Sequence, residues 1–293
     1  MAVYWRNLCL CLCMRLCFTA SSGICDACKP IGLYVFTPVL PNQLKFSKME
    51  RIHTHGYFLT AAECNAQQIM PLSLLVERII ETATEHANKL HIGYADLAEY
   101  HIGWVLSRLS IEVDRWPAMN TDYALRTWIT DVIRLWSTRS HELLDADGDV
   151  IGRVRTVWVA IDTEKRTAAD LSVLDPEAFV CPGRECPLPP MRRLSPVGEA
   201  DRNFEYEFRV SDIDVNRHVT SRRYVDLVVD ANTLGWYDTH CVRGFDIAFQ
   251  HECLFGQKVS VAVKEIRTDD SCPETDVEII HEGTRMVSAR LKF

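Results

Sequence analysis

The chain has 293 residues, of which 47% are hydrophobic and 25% are charged, and its formal net charge is -8. This composition is typical of a soluble globular protein with room for two domains, and the acidic balance argues against a general nucleic-acid binder. No apolar run approaches the roughly 20 residues that a membrane-spanning helix needs.

Residues 1–52 differ in composition from the rest and are predicted to be a leader, either disordered or a non-native extension. An apolar run lies between Arg6 and Arg15 and resembles a signal peptide, but it is short and no A-x-A cleavage site follows it. The leader is therefore interpreted as a short targeting extension, or as upstream sequence with Met49 as the working start.

Six of the twelve cysteines fall within the first 28 residues, and the others are scattered without the rhythm of a disulfide framework. Cys25-x-x-Cys28 could begin a zinc or redox site with Cys181 and Cys186, but the spacings are irregular. No metal and no cofactor is therefore predicted. The cysteines are interpreted as mostly reduced thiols, and the predicted location is cytoplasmic.

The first predicted domain covers residues 53–165. A short strand at 57–61 precedes a long helix that Pro71 begins and Gly93 ends. Four strand-like segments follow, at 103–113, 123–135, 137–144 and 149–161. Asp147-Gly148 predicts a tight hairpin between the last two segments.

Residues 166–199 are rich in proline without a sustained period and are predicted to be a linker. The second domain, 200–293, begins with an alternating strand at 204–210 and a polar turn. A helix is predicted from Val219 until Gly235 closes it. Strands follow at 241–251, 258–267, 275–281 and 285–293, with Glu282-Gly283 at the last hairpin.

The same unit thus occurs twice, which predicts an α+β pseudo-dimer in which each antiparallel sheet wraps one long helix. The two copies can be aligned on Phe58 and Phe208, which sets the turn that follows each of these residues opposite the other. The polar set of the second turn then lies opposite unrelated residues: Asp214 opposite Cys64, Asn216 opposite Ala66 and His218 opposite Gln68. This asymmetry favours chemistry in the second copy only.

Two motifs of the second copy resemble those of the acyl-ACP thioesterases of plants and bacteria. They are D-I-D-V-N-R-H-V at 212–219 and F-x-x-E-C-x-x-G at 249–256. Residues 104–117 and 147–162 also look like that family, and the resemblance extends from about residue 53 to the C-terminus. It implies a tandem (double) hotdog fold, hydrolysis of fatty acyl-acyl carrier protein, and acyl carrier protein as the partner.

The resemblance places the catalytic residues at Asp214, Asn216, His218, Glu252 and Cys253. In one hypothesis Asp214 and Glu252 hold and deprotonate a water, His218 orients it or shares the proton, and backbone N–H groups at a helix start polarise the thioester carbonyl. In the other, Cys253 is the nucleophile and His218 its base. Two residues depart from the family, Thr220 and Ser221, and both can still cap a helix.

An apolar slot lined by the first copy is expected to hold the acyl chain. Its candidate residues are Met70, Leu74, Leu75 and Trp104. A basic patch is expected to receive the acidic carrier, with Arg217, Arg222 and Arg223 as candidates. Neither nucleic acid nor membrane insertion is predicted, and a homodimer stays open. The alternatives are an acyl-CoA thioesterase of the same fold and a non-enzymatic acyl-binding module.

Overall fold

The structure is a computed structural model that describes residues 50–266 and 273–293. Residues 1–49 of the predicted leader, with Cys25 and Cys28, lie outside the described residues. The first strand begins at Ile52, one residue before the predicted domain start.

The first copy consists of one strand, a long helix, a short helix and four further strands. Pro71 is the N-cap of the long helix, so the helix begins one residue after the predicted start. Its buried positions recur at three- and four-residue steps, as in Leu72, Leu75 and Ile79. In chain order the elements are β1 (Ile52–Phe58), α1 (Leu72–Lys89), α2 (Tyr94–Leu97), β2 (Ile102–Val113), β3 (Asp122–Val132), β4 (Trp136–Asp145) and β5 (Val150–Asp162).

The predicted linker has three short elements, β6 (Thr167–Ala168), a 3-10 helix (Leu171–Val173) and α3 (Pro176–Phe179), and it packs on the first copy. The Trp128 indole N–H donates to the carbonyl of Arg184 at 3.1 Å, and Phe179 is buried. This part of the linker is thus fixed to the first sheet.

The second copy repeats the order of the first. Its long helix is shorter than predicted, because it ends at Val229 and Gly235 lies within a separate short helix. The Thr233 hydroxyl accepts a hydrogen bond from the Trp236 N–H and caps this second helix, which explains the break. The elements are β7 (Arg202–Glu207), α4 (Ser221–Val229), α5 (Leu234–Tyr237), β8 (Gly244–Phe249), β9 (Lys258–Ile266), β10 (Glu274–His281) and β11 (Thr284–Lys292).

The eleven strands of the described residues belong to one antiparallel sheet with the order β1-β3-β4-β5-β2-β8-β11-β10-β9-β7, and β6 pairs with β5. Each copy contributes five strands in the same relative order. The copies join where β2 pairs with β8, from Arg108 opposite Ala248 to Glu112 opposite Gly244. Helix α1 packs against α4. The predicted α+β repeat is confirmed.

The hairpin predicted at Glu282-Gly283 joins β10 to β11. Both residues have positive φ, 47° and 76°, which is the backbone of a two-residue type I′ turn. Within the described ranges, no helix has the length and hydropathy to cross a bilayer.

Candidate functional site

The predicted polar turn lies between the short 3-10 helix Val210–Asp212 and α4. The Asp214 N–H donates to the carbonyl of His218 at 2.8 Å. The Asp214 Oδ1 accepts from the backbone N–H groups of Asn216 at 2.8 Å and of His218 at 3.0 Å. One carboxylate oxygen therefore fixes the backbone of the turn, in the manner of an Asx turn.

An ion pair with a buried carboxylate supports this turn. Asp212, 1% exposed, accepts from the Arg223 Nε at 2.6 Å and from the Tyr206 hydroxyl at 3.0 Å. Thr220 caps α4 by accepting from the Arg223 N–H, as expected, and Ser221 is the first helical residue.

We predict that Arg223→Met lowers the free energy of unfolding by about 2–3 kcal/mol, because it leaves the buried Asp212 carboxylate without its cation. Arg222→Met is the matched control. Arg222 pairs with Glu77 at 2.5 Å, both side chains are about half exposed, and the loss should be about 0–1 kcal/mol. Equal losses in denaturant unfolding of the two variants would contradict the prediction.

Glu252 lies beside the turn, just after β8, and its two carboxylate oxygens have different partners. Oε2 lies 3.2 Å from the His218 Nδ1, and Oε1 accepts from the Arg166 guanidinium. Arg166 begins the predicted linker just after β5, so this contact brings the start of the linker to the site. Nδ1 is thus the ring nitrogen of His218 on the Glu252 side, and among the described residues Nε2 has no hydrogen-bond partner.

Cys253 is close in sequence to Glu252 but lies in the core, 0% exposed. Burial raises the pKa of its thiol. Its backbone N–H donates to the Tyr224 hydroxyl at 2.8 Å, and its carbonyl accepts from the Val219 N–H. These contacts join the end of β8 to the start of α4.

The first copy contains an equivalent turn with the same hydrogen bonds. The Asn65 N–H donates to the carbonyl of Ile69, and the Asn65 Oδ1 accepts from the N–H groups of Gln67 and Ile69, each at 3.1 Å. The Met70 N–H donates to the carbonyl of Pro117, as Val219 does to Cys253. The equivalent pairs are Asn65 and Asp214, Gln67 and Asn216, Ile69 and His218, and Trp116 and Glu252.

The alignment predicted on Phe58 was therefore wrong by one residue. Leu59, not Phe58, is the equivalent of Phe208: both are 0% exposed and make matching backbone bonds to the loop opposite, whereas Phe58 is exposed. The corrected alignment changes the interpretation of the asymmetry. Both copies keep the capping side chain, and only the second has the carboxylates and the histidine.

Next to the turn is an apolar cavity of about 430 Å³. Its walls are α1 residues such as Ala83 and Ala87 together with the first sheet, and Val215 and Asn216 of the turn lie at its edge. Val215 is 95% exposed, which places the mouth at the protein surface. The cavity therefore runs from the polar turn of the second copy into the first copy.

The four predicted acyl contacts occupy different positions. Trp104 lines this cavity, whereas Met70 lines a separate one and Leu74 and Leu75 are buried in the core. The residues of the cavity wall that the sequence did not indicate include Arg139, Trp158, Phe179 and Val215.

Two of the three predicted carrier-binding arginines take part in ion pairs, Arg222 with Glu77 and Arg223 with Asp212. Arg217 is exposed, and its φ of 67° is a left-handed backbone conformation within the turn. Among the described residues Arg217 forms no ion pair. Of the three arginines, it is therefore the one whose charge is available to a binding partner.

One cluster of metal-ligating residues occurs in the described part of the chain, formed by His53, His55 and Glu85. The Lys89 ammonium lies 2.8 Å from Glu85 Oε1 and 3.3 Å from His53 Nδ1. It lowers the pKa of Glu85 to about 2, so a cation already occupies this cluster. The five described cysteines, Cys64, Cys181, Cys186, Cys241 and Cys253, are free thiols.

Comparison with solved structures identifies the fold. An acyl-ACP thioesterase from Bacteroides thetaiotaomicron is 27% identical, with a TM-score of 0.74 over 82% of this chain and 97% of that one. The 12:0-ACP thioesterase from Umbellularia californica is 17% identical, with a TM-score of 0.73 over 85% of this chain and 95% of that one. The predicted double hotdog fold is thereby confirmed.

Comparison of sequences gives the family. Oleoyl-acyl carrier protein thioesterase 2 of Arabidopsis thaliana is 24% identical to this chain, over 71% of this chain and 60% of the relative. Oleoyl-acyl carrier protein thioesterase 1 of the same plant is 23% identical, over 67% of this chain and 59% of the relative. The chain thus spans about three fifths of the length of these relatives. The family model of the acyl-ACP thioesterase N-terminal domain matches residues 50–174, and that of the C-terminal domain matches residues 197–293. The chain therefore belongs to the acyl-ACP thioesterase family.

Proposed function

We propose that the chain hydrolyses the thioester of a fatty acyl chain held on acyl carrier protein and releases the free fatty acid. The observation that supports this most directly is the position of Asn216. It belongs to the turn that Asp214 fixes, and it lies at the edge of an apolar cavity in the other copy. An acyl chain in that cavity would present its thioester to the turn.

The proposed reaction uses water as the nucleophile. Glu252 holds His218 through Nδ1, and the free Nε2 takes a proton from the water as its oxygen bonds to the thioester carbon. The carbon–sulfur bond then breaks, and the same proton passes to the departing thiolate. Asn216 donates its amide N–H to the carbonyl oxygen as negative charge develops there.

In this scheme Asp214 positions Asn216. Its Oδ1 already accepts two backbone N–H groups, and its Oδ2 lies 3.5 Å from the Asn216 Nδ2. The role differs from the expectation that Asp214 shares the water with Glu252. An amide held on one side by a carboxylate keeps its other N–H for the substrate.

Cys253 is assigned a structural role, because a thiol with a raised pKa in the core is a poor nucleophile. We predict that Cys253→Ala keeps at least about half of the wild-type kcat, since acid-base catalysis through His218 does not use the thiol. The loss of a small buried group should cost about 1 kcal/mol of stability. Steady-state thiol release would test this, and a covalent acyl-enzyme detected by mass spectrometry would contradict it.

We propose residues 53–165 as the non-catalytic copy, 166–199 as the linker and 200–293 as the catalytic copy. The matched family ranges and the opening of the cavity into the first copy support this division. The location stays a prediction: the sequence favours the cytoplasm, whereas the Arabidopsis relatives are named as chloroplastic proteins.

The deciding experiment follows free thiol released from one acyl chain, carried either on acyl carrier protein or on coenzyme A. We expect faster turnover of the carrier-bound ester. We also expect added salt to weaken only carrier recognition, because the exposed Arg217 would meet an acidic protein. A preference for the coenzyme A ester would favour the acyl-CoA thioesterase, and binding without cleavage of either ester would favour an acyl-binding module.

A further inference from the structure

The acyl cavity contains a buried guanidinium. Arg139 is 4% exposed and lies on β4, where Ser137 and Arg139 both line the cavity. Successive side chains of a strand face opposite sides, so these two residues share the face of the sheet that is turned toward α1. A hydrocarbon chain in the cavity would therefore meet a cation at its wall.

Both hydrogen-bond partners of Arg139 are neutral. Its Nη1 donates to His86 Nδ1 at 2.7 Å and to Thr127 Oγ1 at 3.4 Å. Burial and the neighbouring Arg139 charge lower the pKa of His86 to about 3, so this histidine is uncharged and accepts through Nδ1. Its Nε2 then donates to the carbonyl of Glu50 at 3.0 Å, which fits that tautomer.

The charge itself has no counter-ion among the residues that the structure describes, since none of their carboxylates lies within 4.0 Å of the Arg139 guanidinium nitrogens. Within the same residues, Nη2 and Nε make no hydrogen bond. Burying a cation without a carboxylate or a full set of acceptors is costly. The remaining N–H groups of Arg139 are thus available to a ligand in the cavity.

The second copy provides an internal comparison. Strand β10 has Thr275 and Val277 at the positions equivalent to Arg139 and His141 of β4. Both residues of β10 are buried and uncharged. The hotdog core therefore folds without a charge at this position, and folding alone gives no reason for Arg139.

We infer that the cavity selects acyl chains that carry a hydrogen-bond-accepting oxygen in their distal part, as a hydroxyl, keto or carboxylate group, and that Arg139 donates to it. This inference rests on the proposed function for the thioester end of the substrate. A plain hydrocarbon chain offers no acceptor, and each buried donor left unsatisfied costs about 1–3 kcal/mol. Sites built to bind a polar group discriminate strongly against analogues that lack it. Because the mouth of this cavity is open to solvent, we expect a preference of about 10- to 100-fold.

The test measures binding separately from hydrolysis. Plain, ω-hydroxy and ω-carboxy fatty acids of one chain length are prepared as methyl amides, so that the end replacing the thioester is uncharged and cannot be cleaved. Affinities come from calorimetry and from the fluorescence of Trp104 and Trp158, which both line the cavity. We expect at least one oxygenated chain to bind about 10-fold or more tightly than the plain chain. The hydroxy and carboxy arms identify which oxygen is preferred.

Arg139→Met should abolish the preference and raise the affinity for the plain chain. Replacing a buried charge by an apolar side chain of similar volume is often neutral or stabilising, so the variant is expected to fold. Arg155→Met is the matched control: its Nη1 donates to the carbonyl of Leu188 in the linker, and it should keep the wild-type preference.

Equal affinities of the wild-type chain for all three amides would overturn the inference, whatever the variant does. So would an Arg139→Met protein that retains the preference. Thioester hydrolysis is scored separately with carrier-bound substrates. Hydrolysis without a preference for oxygenated chains would contradict only the inference. An Arg139-dependent preference without hydrolysis would contradict only the proposed function.

Discussion

Glu252→Gln is expected to lower kcat by about 10²- to 10⁴-fold, because it should disable most of the acid-base contribution of His218. The amide keeps the shape of the side chain but removes the charge that faces His218 Nδ1 at 3.2 Å. His218 then loses the partner that orients its ring and stabilises its protonated form during the reaction. Single-turnover thiol release measures the effect without interference from product release.

The control for this variant is Glu265→Gln. Glu252 and Glu265 are 45% and 41% exposed, and each pairs with an arginine, Arg166 and Arg202 respectively. Exposed pairs of this kind contribute about 0–1 kcal/mol, so both variants should be nearly as stable as the wild type. Only Glu252→Gln should lose activity. Turnover within about twofold of the wild type in both variants would remove Glu252 from the mechanism.

Asp214→Asn is expected to lower kcat by about 10²-fold while leaving the turn intact. The asparagine oxygen can replace Oδ1 as acceptor of the two backbone N–H groups, as Asn65 does in the first copy. Its NH₂ group would then face the Asn216 Nδ2, and two donors cannot bond to each other. The Asn216 amide would reorient and present an oxygen to the developing oxyanion.

Two alanine variants separate the fold of the turn from its chemistry. Asn65→Ala and Asp214→Ala remove the same pair of backbone hydrogen bonds in equivalent turns, so each should lose about 1–2 kcal/mol of stability. Only Asp214→Ala should lose activity. If Asp214→Asn turns over at the wild-type rate, Asp214 is a cap for the turn and nothing more.

The sequence predicted those parts of the site that local pattern determines. The turn could be recognised because Asp214, Asn216 and His218 lie within one short segment between a strand and a helix. The repeat could be recognised because each copy has one long amphipathic helix and strands of alternating polarity. These features depend on residues that are near one another along the chain.

The features that were missed depend on contacts between distant segments. Arg166 contacts Glu252 from the start of the linker, and no residue near it in the sequence indicates that contact. In the sequence Arg139 is an ordinary polar residue of a strand, and only the packing of the sheet around α1 shows that it is buried. The copies were misaligned because Phe58 and Phe208 are both aromatic, and a shift of one residue along a strand exchanges its buried and exposed faces.

The unequal placement of polar groups in the two copies has a consequence for how such a protein can diversify. In a symmetric dimer of identical subunits, every substitution appears twice, so a charge useful at the reaction centre would also be imposed on the wall that receives the substrate. Joining the copies in one chain frees each from that constraint. Mutations at Arg139 could alter the preferred substrate while Asp214 and Glu252 stay unchanged, so selectivity and reactivity can evolve independently.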